Sequence, residues 1–257
     1  MPSRASANRL SRLLGLILMT AAMSANAIED RADVDPSDPL KAGESVAWKA
    51  TFGQYRGSVR GNAHDVNLRG NTEEWTFWVG HYSESFGTDQ SRAGVETAVK
   101  LPWGRLVPSL QVASGGFAGI SLTWDGKVES GSGFGPLLGV SRTNLRPYVN
   151  LNFDPNDSIM AGGSYSSPSI GIVMLYQLRD DRTGSEQTVN HLVWRKGFDG
   201  KIRVTVDLFT RSGAEVRGAQ PFKSQGATAT LDVGDYFIRL GRDPKANYTT
   251  EDITRIA

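Results

Sequence analysis

The sequence predicts an all-β chain, a single antiparallel transmembrane β-barrel of about twelve strands. Three observations carry this: an export signal at the start, short downstream segments that alternate apolar and polar residues, and no cysteine or long apolar run among them. Arg4, Arg9 and Arg12 lead an apolar run from Leu13 to Met23 that closes on Ala25-Asn26-Ala27. That charged, apolar and small-residue order is the mark of a secretory leader cut after Ala27. Residues 1–27 are expected to be lost on export, and the mature chain is expected in the cell outer membrane.

Composition excludes several classes. The full chain has a formal charge of +1, and losing the three leader arginines makes it slightly negative, so no basic field recruits nucleic acid. Zero cysteines exclude a disulfide, a thiolate metal site and a lipidated thiol. Past the leader no apolar stretch nears the roughly 18 residues a spanning helix needs, which leaves strands as the way across a bilayer. Residues 28–43 place Glu29, Asp30, Asp33, Asp35 and Asp38 around Pro36 and Pro39, and read as an acidic periplasmic linker.

The barrel itself is expected over 44–243, with a polar tail over 244–257. Val95, Thr97, Val99 and Leu101 alternate with Glu96 and Lys100; Ile202, Val204, Val206 and Leu208 with Arg203, Thr205 and Asp207; Val149, Leu151 and Phe153 with Asn150 and Asn152. Each is strand periodicity. Extended along the chain it gives strands at 44–55, 72–84, 92–102, 105–114, 117–125, 135–144, 147–153, 158–166, 169–180, 187–197, 201–211 and 226–242. A change of parity at Gly234-Asp235 fits either a bulge or a tight hairpin that would add a strand. A soluble periplasmic ligand-binding β-domain would alternate in the same way. Connection lengths favour the barrel: those after every second strand are short, while the opposite set includes 56–71, 126–134 and 212–225, the turn and loop asymmetry of an outer-membrane barrel. Trp103 and Trp124 fall near strand ends, where an interfacial girdle sits.

If apolar parity faces lipid, the other parity lines the lumen. Glu96, Lys100, Asn150, Asn152, Arg179, Arg203, Asp207, Asp232 and Arg239 are the inward candidates. Both signs are present, which suits either a narrow passage for small polar solutes or a self-satisfied structural barrel of the envelope. No cofactor or metal is expected. Gly131-Ser132-Gly133-Phe134-Gly135 completes no nucleotide-loop spacing, and His64, His81 and His191 are scattered. Asp154-Pro155-Asn156-Asp157 carries turn chemistry.

Across roughly Glu44 to Asp243 the chain resembles small Gram-negative outer-membrane β-barrel proteins, through the leader, the alternating strands and the loop asymmetry. The resemblance implies outer-membrane lipid and the barrel-assembly machinery as partners. It departs at the end, where such proteins finish on an aromatic residue and this sequence reads Arg255-Ile256-Ala257. A local element, His81-Tyr82-Ser83, looks like the His-x-Ser of outer-membrane phospholipase A and the lipid A deacylases. That implies, as the enzymatic alternative, an acyl hydrolase using His81 as base and Ser83 as nucleophile on one strand face. The twelve-strand topology sends this strand toward the periplasmic rim.

Overall fold

A computed structural model describes residues 46–85, 87–126, 132–198 and 200–257. The expected leader, 1–27, and linker, 28–43, lie outside the described residues. The strands are β1 (Ala47–Gly57), β2 (Gly61–Asn71), β3 (Trp75–Glu84), β4 (Asp89–Thr97), β5 (Val99–Leu101), β6 (Gly104–Ala113), β7 (Phe117–Gly126) and β8 (Gly133–Thr143). The rest are β9 (Ser158–Ser167), β10 (Gly171–Asp180), β11 (Thr188–Phe198), β12 (Ile202–Gly213), β13 (Phe222–Val233), β14 (Tyr236–Asp243) and β15 (Ile253–Ile256). All pair antiparallel with neighbours, β1 pairs with β15, and β4 pairs with β6, so the sheet closes on itself. β5 continues β4 past Ala98 without a register change, Glu96 opposing Ser109 and Val99 opposing Leu106. The fifteen strand segments therefore build fourteen staves, not the twelve expected.

Four local differences produce that count. The stretch 56–71, expected as one long loop, contains β2, joined to β1 by a tight turn in which Gly61 takes φ 80°. Residues 147–153, expected as a strand, are not one. The stretch 226–242 is a hairpin, β13 and β14, turning at Gly234 with φ 57°. The expected tail, 244–257, holds a 3-10 turn (Ala246–Tyr248) and β15. Adding β2 and removing 147–153 reverses the direction of β3 to β8. Connections 72–74, 102–103, 127–132, 168–170, 199–201 and 234–235 now share one end with the start of β1 and the finish of β15. The other end carries 58–60, 85–88, 114–116, 144–157, 181–187, 214–221 and 244–252. The expected asymmetry holds, with different members.

The two faces of the wall are chemically opposite to those of a soluble barrel. Phe52 (62 % exposed), Leu68, Val79, Leu110, Ile120, Leu122, Leu138, Ile159, Leu175 (61 %), Leu192, Leu208, Leu231, Ile238 and Leu240 all lie on the outside. Aromatic rings gather on the outer wall toward the short-turn end: Trp48, Trp75, Trp103, Phe134, Phe198 and Tyr236 are exposed there, and Trp103 meets Trp124 edge-on at 5.6 Å. Inside, Asp65, Thr76, Gln90, Arg92, Glu96, Ser109, Gln111, Ser121, Thr123, Arg195, Thr205, Thr228 and Thr230 are buried. Parts of the interior are apolar instead. Leu137, Met160, Met174, Tyr176, Leu178 and Val193, from β8 to β11, form a packed cluster.

That cluster corrects one sequence expectation. On β10 the inward parity belongs to Met174, Tyr176 and Leu178, so Arg179 is exposed on the outer face beside Gln177. Apolar parity marks lipid only where the lumen is wet; where the interior is itself an oily core, the parity signal is ambiguous.

Close packing also appears across β3 and β4. Trp78 and Gly94 are directly opposed, and a Cβ added to Gly94 would sit 2.1 Å from the Trp78 ring. Gly94→Val is expected to displace Trp78 at roughly 1–3 kcal/mol of overpacking cost. The check is the temperature at which the folded band disappears on unboiled gels, which should fall by several degrees.

Candidate functional site

The site is built around residues 144–157, the connection from β8 to β9, which folds into the barrel instead of standing above it. Its Tyr148, Val149, Asn150, Phe153, Asp154, Asn156 and Asp157 are all buried. Leu145 and Phe153 take φ near 59° and 58°, which breaks the extended path. Asn150 Oδ1 accepts from the Asn152 amide at 2.8 Å, a local turn that replaces a ladder bond. The apolar side of the segment, Val149 and Phe153 with Leu151, packs on Tyr55, Ala63, Tyr82, Ala246 and Ile253. Tyr148 stacks on Phe117 at 4.3 Å, and burial pushes its hydroxyl above the usual phenol range. An alternating sequence therefore arises from a segment wedged between an oily patch and a polar lumen.

Polar contacts from opposite walls hold its backbone. Gln90 donates to the Pro147 carbonyl at 3.1 Å and accepts from the Val149 amide at 2.6 Å. From β15, Arg255 Nη1 donates to the Leu151 carbonyl at 2.8 Å; from β12, Arg211 Nη2 reaches the Asn152 carbonyl at 3.3 Å. Arg211 is also paired with Asp243 at 3.3 Å, both fully buried. Asp157 accepts from the Thr143 hydroxyl at 2.6 Å and from Arg182 Nη1 at 2.7 Å. The Asn156 carbonyl accepts from Ser141 Oγ at 2.6 Å. Deepest is His191 of β11: Nε2 lies 3.1 Å from Asp154 Oδ1 and Nδ1 lies 3.0 Å from Asp207 Oδ2. With a carboxylate on each ring nitrogen, the imidazole bridges the segment to β12.

Toward the short-turn end, below this segment, lies a cavity of about 120 Å³. Lys49, Arg69, Arg92, Arg239 and Arg255 line it against the carboxylates of Asp65 and Glu96, with Trp78, Gln111 and residues 148–152 completing the wall. Beside it, β15 pairs with β1 only over Gln54 to Gly57, and lower down the Lys49 ammonium lies 4.2 Å from the centre of the Phe237 ring. Elsewhere inside, charges neutralise across adjacent strands. Arg105 meets Asp125 at 2.9 Å and Arg203 meets Asp232 at 3.3 Å, each pair directly opposed in register.

The inward candidates separate into three groups. Glu96, Asn150, Asn152 and Arg239 line the cavity; Arg203, Asp207 and Asp232 face inward but are engaged with Asp232, His191 and Arg203. Lys100 stands at the rim, three-quarters exposed and 3.2 Å from Glu73, and Arg179 is outside. Gln90, Arg92, Asp154, Asp157, His191, Arg211 and Arg255 were not among the candidates. The one sequence signal for them was Asp154-Pro155-Asn156-Asp157, polar residues following an alternating run too short for a stave.

His81 and Ser83 share the outer face, as their spacing requires. With β3 running toward the long-loop end they lie near that rim, not the short-turn one. The His81 ring turns to β4 instead of to Ser83: Nδ1 is 3.1 Å from Ser91 Oγ and Nε2 is 3.6 Å from Asp89. His81 is half exposed and Asp89 more so.

No protein-family model matches the chain, and no curated protein does. The chain is similar in fold to a solved structure, the NanC porin in its rhombohedral crystal form, at 9% identity and a TM-score of 0.43, with 81% of this chain and 97% of that one covered.

Proposed function

We propose that this protein is an outer-membrane barrel that gives small polar solutes a narrow passage, restricted by the inserted segment 144–157. The observation that carries this is the inversion of the wall: bulky apolar side chains outside, charged and hydroxylic ones inside. An exposed belt of that extent is unfavourable in water by about 25 cal/mol per Å² and favourable in lipid. The aromatic rings at the short-turn end support an orientation with that end in the periplasm and the long connections outside. Barrels of about eight strands are just filled by side chains, whereas those of 16–18 leave an aqueous channel. Fourteen staves enclose more room than side chains alone fill, and here a chain segment takes up the difference.

The test is fractionation of the expressed protein, then gels with and without boiling, then planar-bilayer recording. Recovery in the outer membrane with a heat-modifiable band and small, steady conductance steps is expected. Release as a soluble periplasmic protein would overturn the proposal. The apolar cluster and the inserted segment favour a second reading, a closed structural barrel, which predicts no conductance from the intact chain.

A further inference from the structure

We propose that the basic cavity below the inserted segment is a seat for one oxyanion, the carboxylate or phosphate group of a small solute. This rests on the reading of the lumen as open to solutes from the short-turn end, and names their chemical class. Five cationic side chains line it with the side-chain carboxylates of Asp65 and Glu96, and Ala257 is also at its wall, so among side chains positive charge is in excess. Net charge alone would be weak support; the placement of two guanidiniums is stronger.

Arg92 is 8 % exposed and Arg255 is 6 % exposed. Arg92 pairs with Asp65 through Nη2, while its buried Nη1 has no hydrogen-bond partner among the described residues. Arg255 spends Nη1 on the Leu151 carbonyl and Nη2 on Thr228 Oγ1, each at 2.8 Å, and its buried Nε has no partner among the described residues. A buried donor left unmatched bears its desolvation cost without return, the more so when charged, and an oxyanion is the acceptor that guanidinium geometry suits best.

Both arginines also lie over inward-facing glycines of the neighbouring strand. A Cβ at Gly80 would come 3.3 Å from Arg92 Nε, and one at Gly241 would come 2.7 Å from Arg255 Nε. Gly80 opposes Arg92 and Gly241 opposes Arg255 in the ladder. The missing side chains leave room for each arginine's Nε beside the wall, where a larger residue at Gly241 would crowd Arg255. A volume of about 120 Å³ is several times the 10–15 Å³ that one water needs.

The test is phosphorus NMR of inorganic phosphate titrated into the refolded full chain in zwitterionic detergent, with a short-chain phosphatidylglycerol as a second probe. Saturable broadening of the phosphate line at millimolar concentration is expected, displaced by acetate. It should weaken at least tenfold in Arg255→Gln and in the charge-neutral pair Asp65→Asn/Arg92→Gln. All variants are first checked for a heat-modifiable band. Gly241→Ala supplies a variant that keeps every charge yet crowds Arg255, and it should weaken binding too. Equal binding by wild type and variants would overturn the seat. Saturation by the phospholipid but not by phosphate would overturn the solute source and make the site a lipid-headgroup one. Conductance is recorded on the same samples: conduction without phosphate binding defeats the seat alone, and binding without conduction defeats the passage alone.

Discussion

Replacing residues 145–156 by a short glycine-serine link is expected to raise the single-channel conductance several-fold and to steady it. The exchange is geometrically simple. β8 and β9 are already neighbours, with Ser141 opposing Ser158, and an antiparallel pair needs only a two- to five-residue turn. What it removes is a segment gripped from five staves, by Gln90, Ser141, His191, Arg211 and Arg255. What it leaves is a fourteen-stave ring whose remaining lining mixes polar residues with the apolar sector around Leu137, Met174 and Leu178 and the patch of Tyr55, Ala63, Tyr82 and Ile253 that the segment had covered. The same change should lower the temperature at which the folded gel band is lost, because Val149 and Phe153 no longer cover Tyr55 and Tyr82. An unchanged conductance in a variant that still shows the folded band would mean that the constriction lies elsewhere, and the closed-barrel reading would gain.

The alternation of β6, β7 and β12 was legible because each has an outer face of large apolar residues and an inner face mostly of polar ones; Ile120 and Leu122 against Ser121 and Thr123 is the plain case. β2 was not legible. Its outward positions are Asn62, His64, Val66, Leu68 and Gly70, so only two of five carry large apolar side chains, and the glycines Gly61 and Gly70 near its ends suggested a loop. β15 has four residues, too few for a period to show. In both strands the pairing partners, not the intrinsic pattern, decide the structure.

The inserted segment misled for a different reason. Val149, Leu151 and Phe153 alternate with Asn150 and Asn152, as a stave does, but the oily side they meet is the inner surface near Tyr55 and Ala246. A two-sided environment produces a period of two whether or not the chain is in a ladder. The error then propagated: one false strand and one missed strand cancelled in the count but reversed every stave between them, and placed His81 at the wrong rim. The inward placement of Glu96, Arg203, Asp207, Asp232 and Arg239 is unaffected by this reversal, since it depends on parity within a strand and not on its direction.

Replacing His191 by leucine is expected to have the largest effect of any single substitution on how firmly the segment is held. The imidazole is 4 % exposed and Asp154 is fully buried; with leucine in its place, Asp154 and Asp207 become two buried carboxylates that have lost their shared partner. Breaking a buried pair by deleting one partner costs roughly 3–5 kcal/mol, and the segment can relieve that by withdrawing Asp154 toward water. Noisy, intermittent conductance of the enlarged size expected on deleting the segment should therefore appear, with a lowered unfolding temperature on gels. The charge-free triple variant His191→Leu/Asp154→Asn/Asp207→Asn separates the causes. If stranded carboxylates drive the release, it should recover most of the stability and the quiet trace. If loss of the ring's packing against Tyr176, at 4.8 Å between centroids, is what matters, the triple variant will stay as noisy as the single one, and the electrostatic account of the latch fails.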